Sequence, residues 1–246
     1  MKKHIPNTIT LLNLVAGCVG IYLVFRNNLT GAALCIWVAA VFDFFDGFAA
    51  RLLRVKSELG LQLDSLADMV SFGVLPGFIM FILIENMSMV EPGTLINPEY
   101  TPFVALLIPV FSALRLAKFN IDERQTDEFI GLPTPANAFF ISGFPLILYQ
   151  IGHSEEISNV MIVQTLFNPF FLVAVCIVFS LLLVAEVRLM SLKFKSFGWK
   201  ANQSRYIFLL IAAALIISMK FFAIHLIILL YILLSVLSNI FKSAEN

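Results

Sequence analysis

An all-α, polytopic membrane bundle is the fold class the sequence predicts, and three observations predict it. Of its 246 residues, 60% are hydrophobic and 13% charged, against about 45–50% and about 25% in soluble domains. Apolar stretches near the roughly 20 residues that cross a hydrocarbon core recur at eight places: roughly 8–25, 31–53, 61–84, 102–119, 133–151, 168–190, 205–219 and 222–241. With the N-terminus inside and eight spans threaded, 14 of the 16 Lys and Arg fall on one side, the bias that cytoplasmic loops carry. Both termini are then cytoplasmic, and residues 1–246 read as a single membrane domain.

Taken in order, the first stretch follows Lys2 and Lys3. Leu14–Cys18 could pass for a lipoprotein cleavage site, but the apolar run continues to Phe25, so a first span is the simpler reading. The second and third stretches are joined by a short basic linker, Arg54–Gly60, which makes them antiparallel neighbours. The fourth ends in Arg115 and Lys118. After it, Asp122, Glu123, Asp127 and Glu128 read as a solvated inner loop placed to cover a site. Pro133 and Pro135 open the fifth, as proline does at a helix start. Glu186 and Arg188 end the sixth at the interface, and Lys220 divides the seventh from the eighth. His225 reads as a packing residue and His153 as a solvated one. Cys18, Cys35 and Cys176 lie in apolar runs without metal-ligand spacing and read as small buried hydrophobes. Formal net charge is zero, so bulk charge names no partner, and no nucleic acid is expected. A prokaryotic cytoplasmic membrane is the compartment expected of this compact chain.

The second and third stretches carry charges that a bilayer disfavours. Asp43, Asp46, Asp64 and Asp68 sit at their inner ends, and an ionised Asp within a span costs about 2.5–3.5 kcal/mol even on the mildest scale. Asp43, Asp46, Gly47 and Ala50 follow i, i+3, i+4, i+7, and Gly60, Asp64 and Asp68 follow i, i+4, i+8, so each set lies on one helix face. Four carboxylates without His or Cys make an oxygen-only site for Mg2+ or Mn2+, with Ca2+ compatible. Two such ions would balance the four charges and still attract a pyrophosphate. Gly47, Ala50 and Gly60 either admit a bulky group to the backbone or pack helices closely. Arg51 and Ser57 lie just beyond, as phosphate contacts or as an ordinary inner-surface Arg and a solvated Ser.

The stretch Asp43-x2-Asp46-Gly47-x2-Ala50-Arg51-x8-Gly60-x3-Asp64-x3-Asp68 resembles the signature of the CDP-alcohol phosphatidyltransferases, with every fixed position matched over 26 residues. The resemblance implies metal ligation by Asp43, Asp46, Asp64 and Asp68, with Asp68 also the general base. It implies CDP-diacylglycerol contacts from Gly47, Ala50, Arg51, Ser57 and Gly60. Pro6-Asn7-x2-Thr10 resembles the family's second nucleotide element, which adds Asn7 and Thr10. A homodimer in a lipid membrane is implied as well.

Three further segments resemble the branch of the family that uses L-serine: Asp68–Pro76, Ala113–Asn120 and Phe129–Asn137. They nominate Ser71, Arg115, Lys118 and Asn137 as acceptor or phosphate contacts. Basic anchoring explains Arg115 and Lys118 equally, and an interhelical hydrogen bond explains Ser71 and Asn137. Glycerol 3-phosphate or an inositol phosphate is the alternative acceptor, but either would call for a denser basic pocket than Arg115, Lys118 and Arg124 provide. An ion-coupled transporter is the alternative of another class. It predicts carboxylates near the bilayer midplane and broken helices there, whereas these carboxylates lie at the inner ends.

Overall fold

The structure, a computed structural model, describes residues 4–55, 57–90, 99–122, 129–153, 159–189 and 198–244. The inner loop containing Glu123, Asp127 and Glu128, expected to cover the site, lies outside them, as do Lys2 and Lys3.

Helix α1 (His4–Phe25) turns through Asn27, at φ 59°, into α2 (Leu29–Leu53). Asn28 caps α2, its side chain accepting the Gly31 N–H at 2.9 Å, which satisfies one of the orphan donors of a helix start. Arg54 ends α2 in the left-handed region, its N–H donating to the Ala50 and Arg51 carbonyls. Three residues on, Ser57 caps α3 (Glu58–Asp68), accepting the Gly60 N–H at 2.9 Å. The chain continues without a break through a π-helical turn, Met69–Val74, into α4 (Leu75–Val90). Pro76 stands two residues past the end of this wide turn. Its missing N–H interrupts the helical hydrogen-bond ladder there, and the Leu75 N–H instead reaches back to Val70.

A 3-10 turn, Thr101–Leu106, leads into α5 (Leu107–Ile121). Then come α6 (Thr134–Gly152), α7 (Asn159–Leu166), α8 (Pro169–Val184), α9 (Trp199–Met219) and α10 (Phe222–Ala244). Among the described residues, four helical segments are long and apolar enough to cross a membrane: His4–Phe25, Leu29–Leu53, Glu58–Met89 and Thr101–Ile121. The third is the centre of the bundle: 61% of its apolar window is buried, against 28–33% for the others. Phe72, Leu75, Ile79 and Leu83 from this central helix pack with Ile36 of α2, Ile108 of α5 and Ile141 and Phe144 of α6. The outward faces stay apolar, as with Phe44, Leu52 and Ile217, which suits lipid as the surrounding solvent.

A helix occupies each of the eight apolar stretches. Lys220, at φ 52°, separates α9 from α10. The expected sixth span to residue 190 is corrected: α8 ends at Val184, and Arg188–Leu189 forms a two-residue strand, β2. This strand pairs antiparallel with β1, Phe129–Ile130. The Gly131 N–H donates to the Val187 carbonyl at 2.9 Å and the Leu132 N–H to Leu182 at 2.8 Å. Gly131 takes φ 77°, and an added Cβ would meet the Leu183 carbonyl oxygen at 2.5 Å, so only glycine fits this crossing. The expected loop from 152 to 167 contains α7.

The second and third stretches are neighbours as expected, α2 touching the π-helical turn and α4, while α1 is the main packing partner of both α2 and α3. A cavity of about 720 Å3 lies between the two acidic helices, and their side chains meet across it.

Candidate active site

The cavity takes one wall from each of α1, α2 and α3. From α2, Asp43, Asp46, Gly47 and Ala50 line it; from the start of α3 come Ser57, Gly60 and Asp64; from α1 come Pro6, Asn7 and Thr10. Helical periodicity sets this arrangement, because residues three and four apart share a face. Arg51 is exposed and outside the lining.

Carboxylate oxygens of Asp43, Asp64 and Asp68 all lie within 4.8 Å of one another. At an effective dielectric near 20, two unit charges at that separation repel by about 3 kcal/mol. Three such pairs sum to about 10 kcal/mol, comparable to the whole net stability of a typical domain. The fully ionised cluster therefore needs positive charge among its members. No ion pair to any of the four Asp occurs among the described residues. Asp46, 6% exposed, sits one turn from Asp43 within electrostatic reach of the others, and its Oδ2 is buried without a hydrogen-bond partner. The Thr10 hydroxyl donates to the Pro6 carbonyl at 3.1 Å and lies within hydrogen-bonding reach of Asp46. Hard oxygen donors, mutual repulsion and an orphaned buried oxygen together fit a divalent cation.

Gly47 resolves the two readings of the small residues at its own position. An added Cβ there would meet nothing within 4 Å, so Gly47 faces open cavity rather than a packed helix. At Gly60 an added Cβ would lie 2.9 Å from the Ser57 oxygen and 3.1 Å from Asn7 Oδ1. Glycine there lets the α1 amide close over the cap of α3. Ser57 is thus both cap and lining residue.

Asp68, 9% exposed, is the last residue of α3, and its Oδ1 accepts a hydrogen bond from Asn13 Nδ2 at 3.2 Å. Asn13, fully buried on α1, was not singled out in the sequence. An amide in the middle of an apolar stretch is the signal that marks it. Ser71, in the π turn, donates to the Asn13 carbonyl at 3.0 Å. Gly17 lets this contact form: an added Cβ would meet the Ser71 Cα at 3.0 Å.

Behind Asp68 lies a cluster of buried polar side chains. Arg115 of α5 is 7% exposed and within electrostatic reach of Asp68. Its NH1 donates to Thr134 Oγ1 at 3.2 Å, and its guanidinium lies 5.2 Å from the centre of the Phe119 ring. Arg115 Nε and both amide atoms of Asn137 are buried without partners. Asn137 follows Thr134 by three residues, so both lie on one face of α6. Lys118 is exposed and apart from this group.

Comparison with known proteins gives this geometry its context. The sequence profile of the CDP-alcohol phosphatidyltransferases matches residues 3–170. The chain belongs to this family. CDP-alcohol phosphatidyltransferases generally depend on a divalent metal, in keeping with the acidic cluster. The chain is 36% identical over 138 residues to the CDP-diacylglycerol–serine O-phosphatidyltransferase of Bacillus subtilis, covering 54% of this chain and 70% of that one. It is 33% identical over 156 residues to the enzyme of that name from Mycobacterium leprae, covering 60% and 48%. A third of that name, from Methanocaldococcus jannaschii, is 33% identical over 141 residues, covering 57% and 59%. The aligned stretches thus span from about half to about seven tenths of these relatives' own lengths. Helices α9 and α10 lie beyond the family-matched residues.

Proposed function

We propose that the chain transfers the phosphatidyl group of CDP-diacylglycerol to the hydroxyl of L-serine, giving phosphatidylserine and CMP. The observation that carries this reading is the convergence of Asp43, Asp64 and Asp68 within 4.8 Å beside a cavity of about 720 Å3 with Gly47 open to it. The three relatives' shared name supports the choice of serine.

Asp43, Asp46, Asp64 and Asp68 would hold one or two Mg2+ or Mn2+ ions, Ca2+ being compatible. When bound, such ions supply charge neutralisation of a pyrophosphate and of the departing CMP. Asn7, Thr10, Gly47, Ala50, Ser57 and Gly60 line the space for the nucleotide, and Arg51 sits at its rim as a phosphate contact. Asp68, held by Asn13, takes the proton from the serine hydroxyl. The serine oxygen forms the new bond to the lipid-linked phosphorus as the bond to the CMP oxygen breaks. Arg115 and Asn137 hold the serine carboxylate and amino group, since buried polar atoms without partners favour a ligand that completes them. Ser71 supports this buried cluster through α1, and Lys118 attracts anionic substrates from the inner surface. The eight-span reading puts both termini and the site on the cytoplasmic side. A homodimer follows from the family resemblance.

The test is CMP release from CDP-diacylglycerol by the purified full chain with L-serine, glycerol 3-phosphate or an inositol phosphate. Release is expected with serine alone. Its absence with serine, or a larger rate with a phosphorylated acceptor, contradicts the reading.

A further inference from the structure

The buried face of α1 runs through Pro6, Thr10, Asn13 and Gly17, each three or four residues from the next. Pro6 and Thr10 line the cavity. Asn13 and Gly17 continue the same face onto the junction between α3 and the π turn. Asn13 is fully buried and touches that junction twice. Its side-chain Nδ2 donates to Asp68 Oδ1 at 3.2 Å, and its backbone carbonyl accepts the Ser71 hydroxyl at 3.0 Å. Asp68 closes α3, and Ser71 is the third residue of the π turn. The second bond needs the bare backbone of Gly17, one turn on, where an added Cβ would meet the Ser71 Oγ at 2.5 Å and its Cα at 3.0 Å. The other amide atom, Asn13 Oδ1, is buried without a partner.

We infer that Asn13 is a positioning residue for the general base, tying one oxygen of Asp68 in place so that the other is presented to the hydroxyl of the acceptor. The inference rests on the proposed role of Asp68 and deepens it, and it holds whichever alcohol is the acceptor. A carboxylate serves as a base only within hydrogen-bond reach of the proton it takes. An unheld Asp turns about its terminal torsion, which has no sharp rotamer. A neutral amide suits the task of holding it. Its N–H fixes the carboxylate without cancelling the charge, whereas a Lys or Arg in its place would compete with a bound cation. The same bond sets the orientation of the amide. An ionised carboxylate offers acceptors only, which turns Nδ2 toward Asp68 and leaves Oδ1 unpaired. An unpaired buried oxygen is a cost to folding. A leucine of the same shape would avoid it, so the amide is explained by what it does to Asp68 rather than by packing.

The experiment compares the purified full chain with Asn13→Leu, which keeps the branched shape and removes the amide. CMP release, equilibrium binding of CDP-diacylglycerol with Mn2+ present, and thermal stability are measured. kcat is expected to fall about ten- to a hundredfold, the scale of one hydrogen bond to a charged group. KM for serine and binding of the nucleotide lipid stay within about threefold, as for a contact that matters in the transition state. The melting temperature stays within about 4 °C, the scale of a small change in stability for a chain of this size. A bond that only joins α1 to α3 gives the reverse, a lower melting temperature with kcat unchanged, and that result overturns the inference. So does a loss that appears in lipid binding and not in kcat. Where Asn13→Leu does not fold, Asn13→Ala, which leaves space in place of the amide, decides by the same criterion: a matching fall in kcat supports the inference and an unchanged kcat overturns it. Release of CMP by the wild type with another alcohol but not with serine removes the serine reading alone, and the comparison is then made with that alcohol. No release with any acceptor removes the proposed function and this inference together.

Discussion

The cavity between α1, α2 and α3 and the buried polar residues behind Asp68 differ in construction. The cavity is open and carboxylate-rich, with Gly47 facing free space. The buried cluster centres on Arg115 and leaves Arg115 Nε and the Asn137 amide without partners. The first suits a bulky, multiply charged pyrophosphate brought in with its counter-ions. The second suits a small zwitterion that supplies its own complementary charges. Asp68, close to Asp43 and Asp64 on one side and within electrostatic reach of Arg115 on the other, is where the proposed reaction would remove a hydroxyl proton.

The largest expected effect breaks the open side. Asp64→Asn keeps shape but removes one of three converging charges, and CMP release should fall by about a thousandfold or more. A residual rate within tenfold of wild type would mean that the cluster is not part of the chemistry. Asp68→Asn should abolish turnover while CDP-diacylglycerol still binds in the presence of metal, as followed by equilibrium binding of the nucleotide lipid. Full activity would remove Asp68 as the base. On the buried side, Arg115→Lys loses the planar fork, and KM for serine should rise by about ten- to a hundredfold with KM for CDP-diacylglycerol little changed.

Two glycine substitutions sharpen the contrast between open space and packed helix. Gly47→Leu puts a side chain into the cavity, so KM for CDP-diacylglycerol should rise about tenfold with little change in thermal stability. Gly17→Ala drives a methyl group against Ser71 and should cost about 1–3 kcal/mol of stability, read as a lower melting temperature. The reverse pattern would mean that Gly47 packs a helix and Gly17 lines a site. The smallest effect is at the cap: Ser57→Ala should lose about 1 kcal/mol, with a small rise in KM for the nucleotide lipid.

The two regions were also unequally legible in the sequence. The open side was readable because local periodicity determines it: i, i+3 and i+4 spacing puts Asp43 with Asp46, and Asp64 with Asp68, on single helix faces. The positions of the helices followed from hydropathy. The packing of α1 on both acidic helices and the Asn13–Asp68 bond were not readable, since residues 55 positions apart meet only through packing. The π turn at Met69–Val74 leaves no mark in apolar periodicity; Pro76 is its one local sign. The two-residue ladder between β1 and β2 is too short for alternation to show. Among the buried polar residues Arg115 and Asn137 were visible through resemblance, but the Arg115–Thr134 bond was not, because it depends on how α6 packs against α5.

Direct binding of Mn2+ to the purified full chain, followed by electron paramagnetic resonance, tests the central claim most directly. Saturable binding by the wild-type chain is expected, weakened at least tenfold in Asp43→Asn and in Asp64→Asn, each with unchanged thermal stability in the absence of metal. Equal Mn2+ binding by the wild type and both variants would contradict a cation shared between α2 and α3.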